Sequence, residues 1–480
     1  MSTMPALAYP VVMEEPQQTQ PRLLMGTLIF VMAELAVLLA LGLSPLKNFW
    51  LMLAALLPAL IASLFEPFIG LAALFAFTLF DEQVAVAAAR FTSSKFLAIF
   101  VAFGFFFRCQ RREYSLIPPE PLAKLALAWG FFCMISSMWS VYPKFTFLAS
   151  ITQVLLAGTV LMASQLITTR ARLATLLACV TLASAAGAVI MLAFPQLAGA
   201  QTATADRASM GTTNANTIAR TLTIGIFAGV YVIWVSRSWL LRLVMMGAIT
   251  ATFVGILATR TRAALGGVFL GLVGGSILGL RGSIAQRLLM FGVLAACTFG
   301  GFYFVERTGI LGAGYLERWG QVGSGVSVRT YIWRTGIAIW WNNPALGVGY
   351  HSFMSSYTEE AAQQSRWGVG AERDPHNTWL KALCELGPIG VSLTVAIMIW
   401  LAIYAFRIRP GPEANLGFAI TAFITSSSLI STLMGLKIIW YMIAVVIALA
   451  YTIPRHEAQS AAYPDLSAES PAMPYAYTRY

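Results

Sequence analysis

Asp374-Pro375-His376-Asn377-Thr378-Trp379-Leu380 stands where a polar, aromatic loop of about 70 residues meets a long apolar stretch, which continues through Glu385-Leu386-Gly387-Pro388-Ile389-Gly390. Nine residues separate Asn377 from Gly387, and two more separate Gly387 from Gly390. The apolar run from 377 to 405 exceeds the roughly 20 residues a helix needs to cross a bilayer, so the junction marks a membrane boundary. His376 sits on that boundary and is one of three histidines in the chain. A histidine at a helix start is commonly a satisfied cap. Its place between a charged loop and a membrane span points instead to a base, because an ordinary imidazole has a pKa of about 6.5.

Working outward, the chain is 58% hydrophobic and 11% charged, far below the roughly 25% charged residues of soluble domains. Repeated apolar runs fall at 23–43, 49–63, 66–80, 95–108, 122–140, 147–167, 173–194, 217–235, 239–258, 263–280, 287–305, 377–405, 416–433 and 438–453. Only helices satisfy their own backbone in lipid. The expected fold is therefore all-α, a polytopic integral membrane helical bundle of 12–14 transmembrane helices. The range reflects the short second and third runs, which read as a re-entrant pair or one broken hairpin. Three regions follow: a disordered tail at 1–22, a membrane domain at 23–453 with one long outer loop at 306–375, and a disordered tail at 454–480.

The net charge of +11 does not point to nucleic acid, because the basic residues collect in short loops between spans. Arg108, Arg111, Arg112, Lys124, Arg170, Arg172, Arg237, Arg242, Arg281, Arg287, Arg407 and Arg409 all fall on one side of the alternation, which is then cytoplasmic. Both termini share that side. The loop at 306–375, Arg207, Arg260, Arg262, Arg329 and His376 lie on the other, periplasmic in a two-membrane cell. Several arginines thus break the positive-inside rule on the histidine's face. The five cysteines lie in or beside apolar runs without paired spacing and read as small buried side chains.

Two basic segments carry candidate chemistry. Arg260-Thr261-Arg262-Ala263-Ala264-Leu265-Gly266-Gly267 joins two spans at the outer face. Arginines reaching lipid headgroups explain it as well as a diphosphate clamp does. Ser327-Val328-Arg329-Thr330-Tyr331-Ile332-Trp333-Arg334 begins an expected helix over 328–341, too mixed to span and rich in tryptophan, as in helices lying at a membrane surface. It runs on to Asn343-Pro344-Ala345-Leu346-Gly347-Val348-Gly349-Tyr350-His351. His351 reads as a loop residue. Asn214 and Asn216, before the eighth run, read first as helix caps. No Walker loop, dinucleotide loop or metal-ligand spacing occurs.

These pieces together resemble the bacterial O-antigen ligase and polymerase superfamily. His376-Asn377 followed by Gly387 and Gly390, the Arg262-small-small-Leu segment and Arg329-x-x-x-Trp333 with Asn343-Pro344-x-x-Gly347-x-Gly349 carry the likeness, most specifically over 205–395. Thr261 stands where serine is commoner. Asn216 with Ala219 matches an Asn-x-x-Ala element. The resemblance implies a glycosyltransferase without metal or other cofactor, acting at the periplasmic face of the bacterial inner membrane. Its donor would be an undecaprenyl-diphosphate-linked glycan. Its acceptor would be lipid A-core or a lipid-linked repeat unit. It implies His376 as catalytic residue, Arg262, Arg329 and Arg260 on the diphosphate, and Asn377, Asn216 and Gly349 in support. The alternative is a non-enzymatic transporter or flippase of lipid-linked glycans, which predicts basic residues along a path through the membrane. Reporter fusions after Trp340 and after Pro410 should place the first outside and the second inside; a cytoplasmic signal at Trp340 would overturn the sidedness.

Overall fold

In hydrocarbon a backbone meets its hydrogen-bonding needs alone only as a helix, and the apolar runs take that form. The computed structural model describes residues 20–44, 48–81, 92–111, 117–194, 214–279, 322–363 and 373–462, with isolated positions between 292 and 307. Regular structure among them is helical. Helices α1 (Gln20–Gly42), α2 (Phe49–Phe65), α3 (Pro67–Phe77), α4 (Ser93–Gln110) and α5 (Pro121–Ile135) come first. Then come α6 (Pro143–Leu166), α7 (Arg170–Ala193), α8 (Ala215–Val235), α9 (Trp239–Ala258) and α10 (Arg262–Gly274). After the loop region come α11 (Val322–Asn342), α12 (Phe353–Gln363), α13 (Thr378–Arg407), α14 (Pro412–Ser428) and α15 (Lys437–Ile447). A wider turn carries α15 into α16 (Ile453–Ala462), past the expected start of the tail at 454.

Nine helices among the described residues are long and apolar enough to cross a membrane, and two shorter apolar ones cover 49–65 and 67–80. The protein is an all-α polytopic membrane protein. The expected run at 287–305, the N-terminal residues 1–19 and Arg207 lie outside the described residues. The short pair proves to be two helices meeting at Glu66, where Pro67 opens the second. Its carboxylate takes Arg108 at 3.2 Å.

The bundle has two distinct ends. At one, Arg172 joins Arg108 at Glu66, Arg170 meets Glu413 and Glu457, and Gly411 N–H donates to the Gly279 carbonyl. The arginines there are those of the expected cytoplasmic loops. At the other end Tyr350 N–H donates to Ser136, Ser140 meets Ser352, and Thr432 donates to Asp374. The candidate residues belong to this second end. One buried apolar cluster runs through the spans. A smaller one, built from Ile332, Ile339, Val348, Phe353, Tyr357 and Cys384, seats α11 and α12 on the start of α13. The helix expected at 328–341 thus begins earlier and has a core of its own, while Ile337 and Trp341 stay exposed.

The apolar run from 377 forms a helix that is broken rather than straight. Gly387 has φ 65° and ψ −162°, a region open to glycine but strained for other residues. Pro388 follows and has no N–H to return to the Cys384 carbonyl. That carbonyl accepts Val348 N–H at 2.9 Å instead, and the Glu385 carbonyl accepts Gly349 N–H at 2.9 Å. The loop comes so near that a Cβ on Gly387 would lie 2.5 Å from the Ala345 oxygen. The break and the loop glycines are one interlocking feature. Gly387→Ala should lower the melting temperature of the purified protein, since alanine at positive φ costs about 1 kcal/mol or more before any clash. Gly266→Ala, with open space around its Cβ, should not lower it. A wild-type melting curve for Gly387→Ala would contradict the docked arrangement.

Candidate active site

The His376 loop is held by a carboxylate. Asp374 Oδ2 accepts His376 N–H at 3.0 Å and the Thr432 hydroxyl at 2.6 Å, while Oδ1 takes Lys381 Nζ at 3.0 Å. His376 Nδ1 faces the same Oδ2 at 3.4 Å. This favours the tautomer with hydrogen on Nδ1 and leaves the Nε2 lone pair for a substrate proton. The turn puts His376 at φ 48°, a strained value for a residue that carries a side chain. Burial raises the Asp374 pKa. Lys381, Thr432 and His376 more than reverse this and hold it below its ordinary value. Burial lowers the His376 pKa, Asp374 opposes this, and Arg329, Arg220 and Lys381 lower it further. The imidazole is therefore neutral at pH 7.

Asn377 caps α13: its side-chain oxygen accepts Leu380 N–H at 3.0 Å, and its amide donates to the Leu429 carbonyl at 3.1 Å. Thr378 binds the Ser431 carbonyl and accepts Leu433 N–H. The helix start and the 429–433 turn are thereby tied together. Helix α11 is fixed to the same loop by Trp333, whose indole N–H donates to the Pro375 carbonyl at 2.9 Å. Arg329 lies one helical turn before Trp333, on the same face, and its charge is felt at His376. The Arg-x-x-x-Trp spacing thus has a physical meaning: the tryptophan anchors, and the arginine is carried to the histidine.

Arg220 was not singled out by the sequence, because it sits inside an apolar run. It is 5% exposed, and its Nε has no hydrogen-bond partner among the described residues. Its charge is felt at both Asp374 and His376. Asn216, one turn earlier on α8, accepts the Thr261 hydroxyl at 3.2 Å. Asn214, not Asn216, caps that helix. Asn216 thereby ties the Arg260-Thr261-Arg262 turn to the helix that carries Arg220. Arg260 has φ 51°, and Arg262 opens α10 with an exposed side chain. Gly267 faces Phe423 so closely that a Cβ would lie 2.8 Å from its ring, which brings α10 against α14.

Gly349 belongs to the loop docked on the α13 break, with φ 96° and no room for a Cβ beside Ser140. The loop next turns at His351, φ 63°. Arg260, His351 and His376 are the non-glycine residues at positive φ among the described residues. Glu385, which the sequence showed without a role, holds that turn: its carboxylate accepts the N–H groups of His351 and Phe353. Among the described residues, no group of three or more His, Cys, Asp or Glu side chains is placed to hold a metal ion.

The O-antigen ligase family profile matches residues 247–395, which take in Arg260, Arg262, Arg329, His376 and the broken helix. The chain is also similar to the exopolysaccharide production protein ExoQ of Rhizobium meliloti (strain 1021), 30% identical over 183 residues. That match covers 36% of this chain and 40% of ExoQ, so the chain spans under half the length of this relative. Over residues 247–395 the chain is thus similar to the O-antigen ligase family and, over part of its length, to an exopolysaccharide production protein.

Proposed function

We propose that the protein is an inverting glycosyltransferase of cell-surface polysaccharide synthesis, taking a glycan from undecaprenyl diphosphate at the periplasmic face. The observation that carries this is the meeting of a neutral, Asp374-held His376 with Arg329 and Arg220 at one end of the bundle. The acceptor hydroxyl gives its proton to His376 Nε2 as its oxygen attacks the anomeric carbon. The bond from that carbon to the diphosphate oxygen breaks, and undecaprenyl diphosphate leaves with the electron pair. Arg329 and Arg220, with Arg262 and Arg260 on the adjoining turn, neutralise the charge that gathers on the leaving group. A diphosphate leaves readily, so the scheme needs neither metal nor nucleotide. The likeness to an exopolysaccharide production protein supports polymerisation of lipid-linked repeat units over ligation to lipid A-core.

Deleting the gene should remove high-molecular-weight polysaccharide and leave single lipid-linked repeats. A full-length lipid-linked polymer in the deletion strain would instead indicate ligation. In complementation, His376→Ala and Arg329→Ala should each accumulate normally in the membrane and restore no polymer. Arg329→Lys should restore only part, since a point charge replaces a two-pronged donor. Wild-type polymer from both alanine variants would exclude the proposed chemistry.

A second test uses protonation. Transfer should be flat through neutral pH and fall only as pH drops below the ordinary imidazole range of about 6.5, because the base must be neutral. Histidine-selective NMR should show the His376 titration moving up in Arg329→Gln, which removes a repelling charge. It should move down in Asp374→Asn, which removes the attracting one. Shifts of the same sign in both variants would contradict the electrostatics described above.

A further inference from the structure

A chamber lies behind the Asp374 carboxylate. It is a cavity of about 250 Å³ between α5, α6, the start of α13 and the segment before α15. Lys381 and Thr432, both bonded to Asp374, form part of its wall, so one carboxylate separates the chamber from His376. The rest of the lining includes Trp129, Gln153, Tyr350 and His351. The indole of Trp129 donates to Gln153 at 3.2 Å, and Gln153 also meets the Tyr350 hydroxyl. His351 stands between Phe145 and Tyr350, with ring centroids 5.2 and 5.9 Å away.

The chemistry of this wall selects a class of ligand. Its cation, Lys381, lies 3.0 Å from Asp374 and 3.9 Å from Glu385, so its charge is already matched. His351 is neutral, its pKa pushed down to about 4 by burial, with Lys381 adding to the effect and Asp374 opposing it. Nothing in the lining offers net positive charge to a phosphate. Amide, hydroxyl and imidazole groups beside two aromatic rings suit a ring with hydroxyls at its edge and C–H groups on its face. The volume lies below the roughly 300–1,000 Å³ of drug-sized pockets and suits one ring rather than a chain.

We propose that this cavity binds a single uncharged sugar ring of the acceptor, on the far side of Asp374 from the arginines. The proposal rests on the glycosyl-transfer reading. It assigns the charged and the uncharged partner of the reaction to different places, with the diphosphate among Arg329 and Arg220 and the acceptor sugar among Gln153, Tyr350 and His351. His351 is then a specificity-determining residue, and its strained turn, held by Glu385, serves to present the ring to the cavity.

Purified protein in phosphatidylcholine nanodiscs is titrated with methyl glycosides of hexoses, N-acetylhexosamines, deoxyhexoses and hexuronic acids, and separately with inorganic pyrophosphate. Intrinsic tryptophan fluorescence gives the readout, with Trp129 in the wall. At least one neutral glycoside should saturate. Ala149 and Thr152 also line the chamber, and the Kd should rise about tenfold or more in Ala149→Phe, which fills it, and rise in the shape-keeping Thr152→Val. It should not change in Arg329→Ala or His376→Ala. Pyrophosphate binding should weaken in Arg329→Ala and stay unchanged in Ala149→Phe and His376→Ala. The cavity assignment is overturned if no glycoside saturates, if only the hexuronide does, or if Ala149→Phe and Thr152→Val both bind as wild type. That failure is distinct from failure of the transfer chemistry, in which His376→Ala cells still make polymer whatever the titration shows.

Discussion

One helix cannot close its own hydrogen-bond ladder, and the His376 end of the molecule is assembled on that fault. At Gly387 the backbone turns to positive φ, and Pro388 has no N–H, so α13 leaves carbonyls open inside the protein. A buried carbonyl without a partner is costly. Val348 and Gly349 supply the missing donors, and this docks the loop that follows α11 onto α13. The same turn of helix carries Glu385, which accepts two further N–H groups along that loop, at His351 and Phe353. It also carries Lys381, which reaches back to Asp374. Within two turns of one helix, the chain anchors the His351 turn, the His376 turn and the base of α11.

This arrangement explains why charged groups collect at a membrane boundary without forming simple pairs. Arg329 and Arg220 repel protonation of His376, and Asp374 favours it. Burial and the two arginines win, so the imidazole stays neutral and basic. Arg220 is enclosed, and its Nε is unbonded among the described residues. Such a group suits a site whose anion arrives with the substrate. At the opposite end, Arg108, Arg170 and Arg172 are matched by Glu66, Glu413 and Glu457. At the His376 end Lys381 is likewise matched by Asp374 and Glu385, while Arg220 keeps an unbonded Nε among the described residues.

Much of this was legible in the sequence. Composition alone dictated helices, and the run boundaries agree with α1 to α10 to within a few residues, because hydrocarbon thickness constrains them. His376, Arg329 and the Asn-Pro-x-x-Gly-x-Gly loop were visible as motifs. Their physical partners were not. Arg220 is hidden in an apolar run, where one basic residue leaves hydropathy almost unchanged. Asp374 and Glu385 were quoted but carried no role, since their partners Thr432 and Phe353 lie 58 and 32 residues away. The break at Gly387 was masked because the apolar run continues through it. The chamber beside Lys381 is drawn from five separate segments, and nothing local announces it.

The central claim is that one group moves the proton while others hold the diphosphate, so binding and turnover are separable. The most direct measurement is the release of undecaprenyl diphosphate from a lipid-linked repeat unit by purified protein in proteoliposomes, together with the Kd of that donor. The account predicts that His376→Ala binds donor as wild type and releases undecaprenyl diphosphate about 10²–10⁴-fold more slowly, while Arg329→Ala weakens donor binding itself. Release by His376→Ala at the wild-type rate would contradict it.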